Sequence, residues 1–267
     1  MELWWAFLLL GAAVGFFAGL LGVGGGGIMV PILTSLFISL EFAQTQQVHM
    51  ALGTSMAAII VTSFASARSH HRHQAIVWPA VKALSPGIVV GTLAISFIAA
   101  KVPSLPLAIF FSLFMAFVAV QLILNIKPKP TRQLPGELPL AGVGAVIGGI
   151  SALVAIGGGT LTVPFLTWCN IKVQQAIGTS AAVGLPIAIS GTVGYVISGW
   201  QAPDLPPMSL GYVYLPAVAL ISVVSFFTAP LGVKLAHRLP VAILKKIFAL
   251  LIIMLSLKML HAVLGSV

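Results

Sequence analysis

The sequence predicts an all-α polytopic membrane protein made of two inverted repeats, each with a glycine-rich broken or re-entrant helical hairpin. Three observations lead to this prediction: the apolar composition, a glycine-rich motif that occurs twice, and the placement of the basic residues. Of the 267 residues, 59% are hydrophobic and 6% are charged, and the mean hydropathy is +1.13. A water-soluble domain of this composition would have too few polar side chains to cover its surface. We therefore expect the chain to cross a membrane.

Ten apolar runs divide the chain. They lie at residues 3–22, 26–40, 48–67, 76–100, 104–125, 139–156, 160–170, 173–197, 211–234 and 241–263. The first follows Met1-Glu2 without a basic residue, so we expect it to be retained and not to act as a signal peptide. The longest polar joint, residues 127–138, carries prolines and charges at the midpoint of the chain. It predicts a first repeat at 1–126, a cytoplasmic linker, and a second repeat at 139–267.

A pair of motifs occurs in the same order in both halves. Residues 24–31 (GGGGIMVP) align with residues 157–164 (GGGTLTVP) at an offset of 133. An Ala-x-Gly-Thr-Ser element follows each, at residues 51–55 (ALGTS) and 176–180 (AIGTS). This order indicates an internal duplication. Because glycine has no Cβ atom, each glycine run is expected to break a helix and to let other groups approach the backbone. We expect the Gly-Thr-Ser elements to open or interrupt the helices that follow.

The 13 lysines and arginines indicate how the two halves are oriented. If each glycine run lay inside one long span, seven basic residues would face one side and six the other. If each run is the tip of a hairpin, eleven face one side and only Lys101 and Lys258 face the other. The positive-inside rule favours the second arrangement, with opposite orientations of the halves, both termini outside and the basic loops in the cytoplasm. The runs 26–40 and 160–170 are shorter than the roughly 20 residues of a full span, which is typical of re-entrant segments.

With both motifs in both halves, the sequence resembles the TauE/SafE family of membrane permeases, which is associated with sulfite and organosulfonate export. The resemblance covers nearly the whole chain, and the second copy departs from it only in having Thr160 in place of a fourth glycine. It implies an anion carrier of the cell (inner) membrane. The seven or eight spans described for the family agree with ten segments if the two short ones are not counted.

The two inverted breaks are expected to lie near each other at mid-depth. Helix N-termini there would present free N–H groups and a partial positive charge to an anion. The predicted substrate-binding residues come from the glycine runs and the Gly-Thr-Ser elements: Gly24, Gly25, Gly26, Gly27, Gly53, Thr54, Ser55, Gly157, Gly158, Gly159, Gly178, Thr179 and Ser180. Two structural alternatives stay open. Glycines also allow tight helix packing, as expected for Gly11, Gly15 and Gly19, and Ser and Thr hydroxyls also bond back to a carbonyl one turn earlier.

Polar residues next to the Gly-Thr-Ser elements are candidates for proton coupling or for lining the path. His49, which titrates near neutrality, aligns with Gln174, and Gln175 follows. An interfacial histidine without a coupling role is the alternative. The acids Glu2, Glu41, Glu137 and Asp204 all lie in loops or at segment ends, so a carboxylate relay within the membrane is not expected. This favours a carrier of anions over a carrier of cations.

Several enzyme and binding classes are excluded by residue pattern. Residues 68–73 (RSHHRH) have loose spacing and no acid or thiol nearby, so we interpret them as a basic loop and not a metal site. The fingerprint Gly22-x-Gly24-x-x-Gly27 separates membrane segments instead of following a strand, so it does not indicate a dinucleotide. Lys82 is expected to snorkel to the interface, and the single cysteine, Cys169, to be a small buried hydrophobe. We expect no enzyme activity, no cofactor and no nucleic acid.

The sequence therefore predicts a secondary transporter that moves a small anion, sulfite or an organosulfonate, by alternating access. Its partners would be that anion, the lipid bilayer and a proton as coupling ion. The alternatives are an anion channel and a non-transporting membrane subunit that supports sulfur metabolism. The identity of the anion, the direction of transport and the oligomeric state, including a homo-oligomer, are left open.

Overall fold

Ten α-helices account for most of the described chain. The computed structural model describes residues 4–22, 24–124, 132–236 and 241–265, with the backbone alone for 241–245. In chain order the helices are α1 (Trp4–Leu21), α2 (Gly26–Ser39), α3 (Gln47–Arg72), α4 (Trp78–Ala99), α5 (Ser104–Ile123), α6 (Glu137–Val154), α7 (Gly159–Trp168), α8 (Val173–Ser198), α9 (Leu215–Ala236) and α10 (Val241–Gly265). Two two-residue strands, β1 (Ser209–Leu210) and β2 (Val213–Tyr214), pair antiparallel before α9. In this part of the chain, eight helices are long and apolar enough to cross a membrane, so the protein is all-α and polytopic.

The helices follow the predicted segments closely, with one correction. The run predicted to end at residue 67 continues as helix to Arg72, so the basic residues 68–72 form the last turns of α3 and not a loop. The first residue of α6, Glu137, lies within the predicted linker. The predicted basic residues Lys127, Lys129 and Arg238, the acid Glu2 and the side chain of Lys245 lie outside the described residues.

The two longest helices, α3 and α8, form the centre and are the most buried of the candidate spans. Their register shows that they run antiparallel. A methyl group at Gly191 would lie 2.9 Å from the sulfur of Met56, and one at Gly184 would lie 2.6 Å from the Ser63 hydroxyl oxygen. Residue numbers therefore rise along α3 as they fall along α8. We call the end of the molecule that holds the start of α3 the α3 end, and the opposite end the α8 end.

Two seams of small residues join helices from different halves. In the first, α1 packs along α9 in the same direction, since Gly11, Gly15 and Gly19 face the backbone of Ile221, Ser225 and Ala229. In the second, α6 packs along α4 in the same direction, and Gly144 and Gly148 face the backbone of Leu84 and Ile88. The close approach predicted for the α1 glycines is confirmed. Such contacts require glycine because a Cβ atom would meet the facing backbone.

The contacts of α3 with α9 and of α8 with α4 are also related by exchanging the two halves. Helix α9 runs parallel to α3, with Tyr214 beside Thr54 and Ser225 beside Thr62. Helix α4 runs parallel to α8, with Val77 beside Thr179 and Ser96 beside Gly194. Exchanging the halves therefore maps α1 with α9 onto α6 with α4, and α3 with α9 onto α8 with α4.

Candidate functional site

The two glycine runs meet at the centre of the protein. A methyl group at Gly24 would lie 2.6 Å from the Cα atom of Gly157, and one at Gly157 would lie 2.8 Å from the Cα atom of Gly24. Side-chain atom Cγ2 of Ile59, at the middle of α3, would lie 3.4 Å from either methyl group. The residues that the repeat alignment makes equivalent are thus in direct backbone contact. Gly24 also has a φ of +75°, which L side chains rarely adopt.

Each short helix begins at this meeting point. The residues before α2 and α7, Gly25 and Gly158, both have left-handed backbone angles, with φ of 85° and 83°. A methyl group at Gly26 would overlap the carbonyl oxygen of Ala155, so the start of α2 lies against the end of α6. With 14 and 10 residues, the two helices are about 21 and 15 Å long at 1.5 Å per residue. A hydrocarbon core is about 30 Å thick, so neither helix is long enough to cross it.

The predicted glycines of both runs are buried, as is Thr160. The first backbone N–H groups of a helix have no partner within it, and they carry the positive end of the helix dipole. Two such helix starts are close together here. Gly27 is the least crowded of the first four glycines, since a methyl group there would come no nearer than 3.2 Å, to the sulfur of Met115.

The Gly-Thr-Ser elements do not open or interrupt helices, which corrects the prediction. They lie inside the continuous helices α3 and α8. The Thr54 hydroxyl accepts the N–H of Tyr214 at 3.0 Å, and the Thr179 hydroxyl accepts the N–H of Val77 at 2.9 Å. Each bond joins a helix of one half to the segment that leads into α9 or α4, which belong to the other half. Threonine hydroxyls can accept and donate at the same time, but these two primarily hold the chain together.

The glycine next to each threonine completes the same arrangement. A methyl group at Gly53 would lie 2.6 Å from the carbonyl oxygen of Tyr212, and one at Gly178 would meet the carbonyl oxygen of Ala75. We call Gly53 and Thr54 with residues 212–214 the α3 latch, and Gly178 and Thr179 with residues 75–77 the α8 latch. The register of α3 and α8 places the latches at opposite ends, about 20 Å apart along the helices.

The two serines of the elements differ. The single hydroxyl hydrogen of Ser180 is shared between two carbonyl oxygens, that of Ile177 one turn earlier at 2.8 Å and that of Gly22, just after α1, at 3.2 Å. Ser55 is fully buried, and its hydroxyl has no hydrogen-bond partner within the described chain. A buried hydroxyl without a partner costs about 1–3 kcal/mol, so Ser55 is a candidate for contact with a bound molecule.

Thr162 is a further candidate that the sequence reasoning did not select. It lies one turn into α7, is fully buried, and has a hydroxyl without a partner among the described residues. Its oxygen would lie 3.3 Å from a methyl group at Gly158, the residue that caps α7. The sequence feature that could have identified Thr162 is a hydroxyl residue four positions after the glycine that precedes a helix. The equivalent residue of the first half is Met29, which has no hydroxyl.

His49 and the two glutamines lie at the latches and not at the glycine runs. His49 is 4% exposed, and its Nδ1 and Nε2 atoms lie 3.2 Å from the Thr45 carbonyl oxygen and 3.0 Å from the Val102 carbonyl oxygen. Its ring stacks on Tyr212 with the centroids 5.2 Å apart. Gln174, at the equivalent place in α8, is exposed, and Gln175 is partly exposed.

The other predicted groups fall outside the core. Glu41 and Asp204 lie in loops and Glu137 begins α6, so within the described chain no carboxylate lies deep in a helix. No three His, Cys, Asp or Glu side chains in the described ranges come together as a metal site. Cys169 is a free buried cysteine, and burial raises the pKa of its thiol.

Comparison with known proteins identifies the family. The family model described as "Sulfite exporter TauE/SafE" matches residues 7–259. The chain belongs to the TauE/SafE family. It is 41% identical over 254 residues to a "Probable membrane transporter protein" of Haemophilus influenzae, a match that covers 94% of this chain and 96% of the relative. It is 30% identical over 250 residues to the "Probable membrane transporter protein YdhB" of Bacillus subtilis, covering 89% and 90%. No solved structure gives a significant match.

The family assignment fits the eight apolar helices. This TauE/SafE protein is a multi-pass membrane transporter, which is a class of protein distinct from enzymes. A relative in Methanocaldococcus jannaschii, 25% identical over 240 residues, also has a transporter name.

Proposed function

We propose that this TauE/SafE protein is a secondary transporter that moves a small anion of the sulfite or organosulfonate class by alternating access. The observation that carries the proposal is the meeting of Gly24 and Gly157, which brings the starts of α2 and α7 to one buried place. Two helix starts, one from each half, form a favourable environment for an oxyanion. The family name supports sulfite and its organic derivatives as the first anions to test.

The proposed site binds with uncharged donors. The N–H groups at the starts of α2 and α7 would contact the oxygens, and the hydroxyls of Ser55 and Thr162 would supply further hydrogen bonds. Neither α2 nor α7 contains a lysine or an arginine, which is appropriate for a carrier because a fixed buried cation would hold an anion too tightly to release it. Gly24–Gly27 and Gly157–Gly159 remain the proposed substrate-binding glycines, and the threonines of the latches are proposed to act in closure instead.

The latches supply a basis for alternating access. They are equivalent, they join the two halves, and they lie at opposite ends of α3 and α8, which run in opposite directions. We propose that the halves form an inverted repeat, and that opening one latch while the other stays closed exposes the central site to one side at a time. Both latches are closed in this structure, which would correspond to an occluded state.

The basic residues support an orientation in the cell (inner) membrane. The described basic residues at the α8 end are Arg68, Arg72, Lys82, Arg132, Lys172, Lys234 and Lys246. Of the basic residues that the structure describes, Lys101 and Lys258 alone lie toward the α3 end. By the positive-inside rule we propose that the α8 end faces the cytoplasm.

Flux in proteoliposomes tests the transport function. Purified protein is expected to take up labelled sulfite with saturation and to show counterflow against internal sulfite, which a channel would not show. A panel with taurine, thiosulfate and acetate then defines the class of anion. Absence of flux for every anion would overturn the proposal in favour of a non-transporting subunit, and flux without saturation or counterflow would favour a channel.

Two substitutions test the site. Ser55→Ala and Thr162→Val each remove a hydroxyl that has no partner among the described residues, so both are expected to weaken anion binding while the protein stays folded. Thr34→Val is the matched control, because the buried Thr34 hydroxyl bonds only to Val30 one turn earlier. Unchanged transport in both site variants would contradict the assignment of these hydroxyls.

The orientation is tested separately with Asp204→Cys and Lys172→Cys in a Cys169→Ser background, which should react with an impermeant reagent from outside and inside, respectively.

A further inference from the structure

We propose that His49 is a proton-binding site and that the bound proton holds the α3 end closed. The proton site itself follows from the geometry around the imidazole. Its part in transport rests on the proposed function.

Both nitrogen atoms of the His49 ring face carbonyl oxygens. Nδ1 lies 3.2 Å from the Thr45 oxygen, and Nε2 lies 3.0 Å from the Val102 oxygen. A neutral imidazole has one N–H, so one nitrogen would direct a lone pair at a carbonyl lone pair. The imidazolium has two N–H groups and donates to both carbonyls. Binding of a proton therefore replaces a repulsive contact with a charge-assisted hydrogen bond.

These bonds connect three loops of the α3 end. Thr45 precedes α3, Val102 lies between α4 and α5, and the stacked Tyr212 lies between α8 and α9. Ser104 also donates to the Thr45 oxygen at 2.8 Å, which fixes that carbonyl. Because Tyr212 is part of the α3 latch, the imidazole and the latch hold the same segment. Protonation of His49 is thus expected to tighten the latch at this end.

The groups that face the ring carry no charge. They are the carbonyls of Thr45, Val102 and Ala99 and the ring of Tyr212. Burial raises the pKa of the Tyr212 hydroxyl, so this side chain stays neutral when His49 titrates. The charged residues of the three loops, Glu41, Lys101 and Asp204, are all exposed to solvent, where water and salt screen them. Carbonyl dipoles are therefore the partners available to the bound proton.

Among the described residues, the α8 end has no histidine at the position equivalent to His49. Gln174 takes the place of His49, does not titrate, and is exposed. His70 and His71 lie at that end, in the last turn of α3, and His71 accepts the indole N–H of Trp78 at 3.4 Å instead of facing two carbonyl oxygens. A proton on His49 itself would therefore change the closure of the α3 end. This one-sided effect is the property that a coupling ion requires, because it biases the two closures differently.

Hydrogen exchange of the full-length protein in nanodiscs tests the proton site. After correction for intrinsic rates, amides in residues 42–46 and 99–107 are expected to exchange roughly tenfold more slowly at about pH 5.5 than at about pH 8, which corresponds to one additional net hydrogen bond. His49→Gln should abolish this difference. His261→Gln, which removes an exposed histidine toward the same end, should retain it. Any pH response of amides 74–78 at the α8 end, which lie beside His70 and His71, should be the same in wild type and His49→Gln. The same pH response in wild type and His49→Gln would overturn the proposal.

A direct measurement covers the case in which His49→Gln does not fold. In wild-type protein labelled with ¹⁵N-histidine, His49 is expected to change from one neutral tautomer to a form with both nitrogens protonated as the pH falls. A single neutral tautomer throughout would overturn the proton site.

If the exchange and NMR results agree with the proposal but no anion is transported, the proton site stands and the proposed function fails. If sulfite is transported at the same rate with and without a proton gradient, the coupling role of His49 is wrong.

Discussion

The α3 end and the α8 end contain the same latch in different surroundings. At both ends a threonine hydroxyl accepts a backbone N–H from the other half, and the preceding glycine lies against a carbonyl oxygen. At the α8 end, Ser180 additionally bonds to the turn at Gly22. At the α3 end, the equivalent Ser55 has no partner among the described residues, and both ring nitrogens of the buried His49 face carbonyl oxygens beside the latch. The shared features hold the halves together, and the differing features include the two groups that are proposed to bind an anion and a proton.

Comparing the two copies of the motif distinguishes residues that hold the structure together from residues that are candidates for binding. The glycine and the threonine make the same contacts in both copies, at Gly53 and Thr54 and at Gly178 and Thr179. Packing therefore explains why both copies contain them. Ser55 and His49 are not explained in this way, because Ser180 makes hydrogen bonds that Ser55 lacks and Gln174, in the place of His49, is exposed. Duplication thus supplies an internal control: a residue whose contacts change between copies is a better candidate for a site than one whose contacts repeat.

The largest effect is expected at the latch glycines. Gly53→Ala and Gly178→Ala would each bring a methyl group against a carbonyl oxygen of the backbone, and overpacking of this kind costs about 1–3 kcal/mol or more. Both variants should lower the thermal unfolding midpoint by similar amounts. Gly142→Ala is the control, since nothing lies within 4 Å of a methyl group there and alanine favours a helix by about 1 kcal/mol. A large effect at one end alone would break the equivalence of the latches.

A smaller effect is expected when the threonine hydroxyls are removed. Thr54→Val and Thr179→Val leave the N–H of Tyr214 or Val77 without its acceptor, at a cost of about 1–3 kcal/mol. With Cys169→Ser as background, Ala51→Cys should become labelled from outside in Thr54→Val, and Ala176→Cys from the cytoplasm in Thr179→Val. Thr34→Val should change neither rate. Labelling from the same side in both variants would contradict their proposed role as opposite closures.

The serines are expected to differ by about one hydrogen bond. Ser180→Ala removes a bond to Gly22 and should lower stability by about 1 kcal/mol. Ser55→Ala removes a hydroxyl without a partner and should leave stability unchanged or slightly raised. Unfolding midpoints measured with and without sulfite check both, because a ligand that binds only the folded state raises the midpoint. Full sulfite stabilisation in Ser55→Ala would show that the anion does not contact this hydroxyl.

The smallest effect is expected for Gln174→His. The side chain at this position is exposed, and surface substitutions usually change stability by less than about 0.5 kcal/mol. A histidine there gains no pair of carbonyl acceptors, so the pH dependence of hydrogen exchange in residues 74–78 should stay as in wild type. A pH response that is absent in wild type and appears in Gln174→His would show that the buried geometry of His49 is not required.

The sequence predicted most of the fold because local signals determine it. Apolar length defined the helices, and repeated glycines marked the turns at Gly24 and Gly157. The roles of Thr54 and Thr179 could not be predicted in this way. Their partners, Tyr214 and Val77, are 160 and 102 residues away in the sequence, and no local pattern relates them. The β1–β2 hairpin was missed for a similar reason, since two-residue strands carry almost no periodicity. The extension of α3 to Arg72 was missed because its last turns are polar.

The seams of small residues bear on how the protein is assembled. Gly11 on α1 lies against Ile221 on α9, so the partner of the first helix is made about 210 residues later. At roughly 5–20 residues per second, α1 waits some 10–40 s in the bilayer before its partner emerges from the ribosome. The glycine stripe of α1 faces lipid or other proteins during that interval. Neither half contains the partner of its own first helix, so neither is expected to be stable alone, and a chain divided at residues 125–131 should reach the native state only when both pieces are produced together.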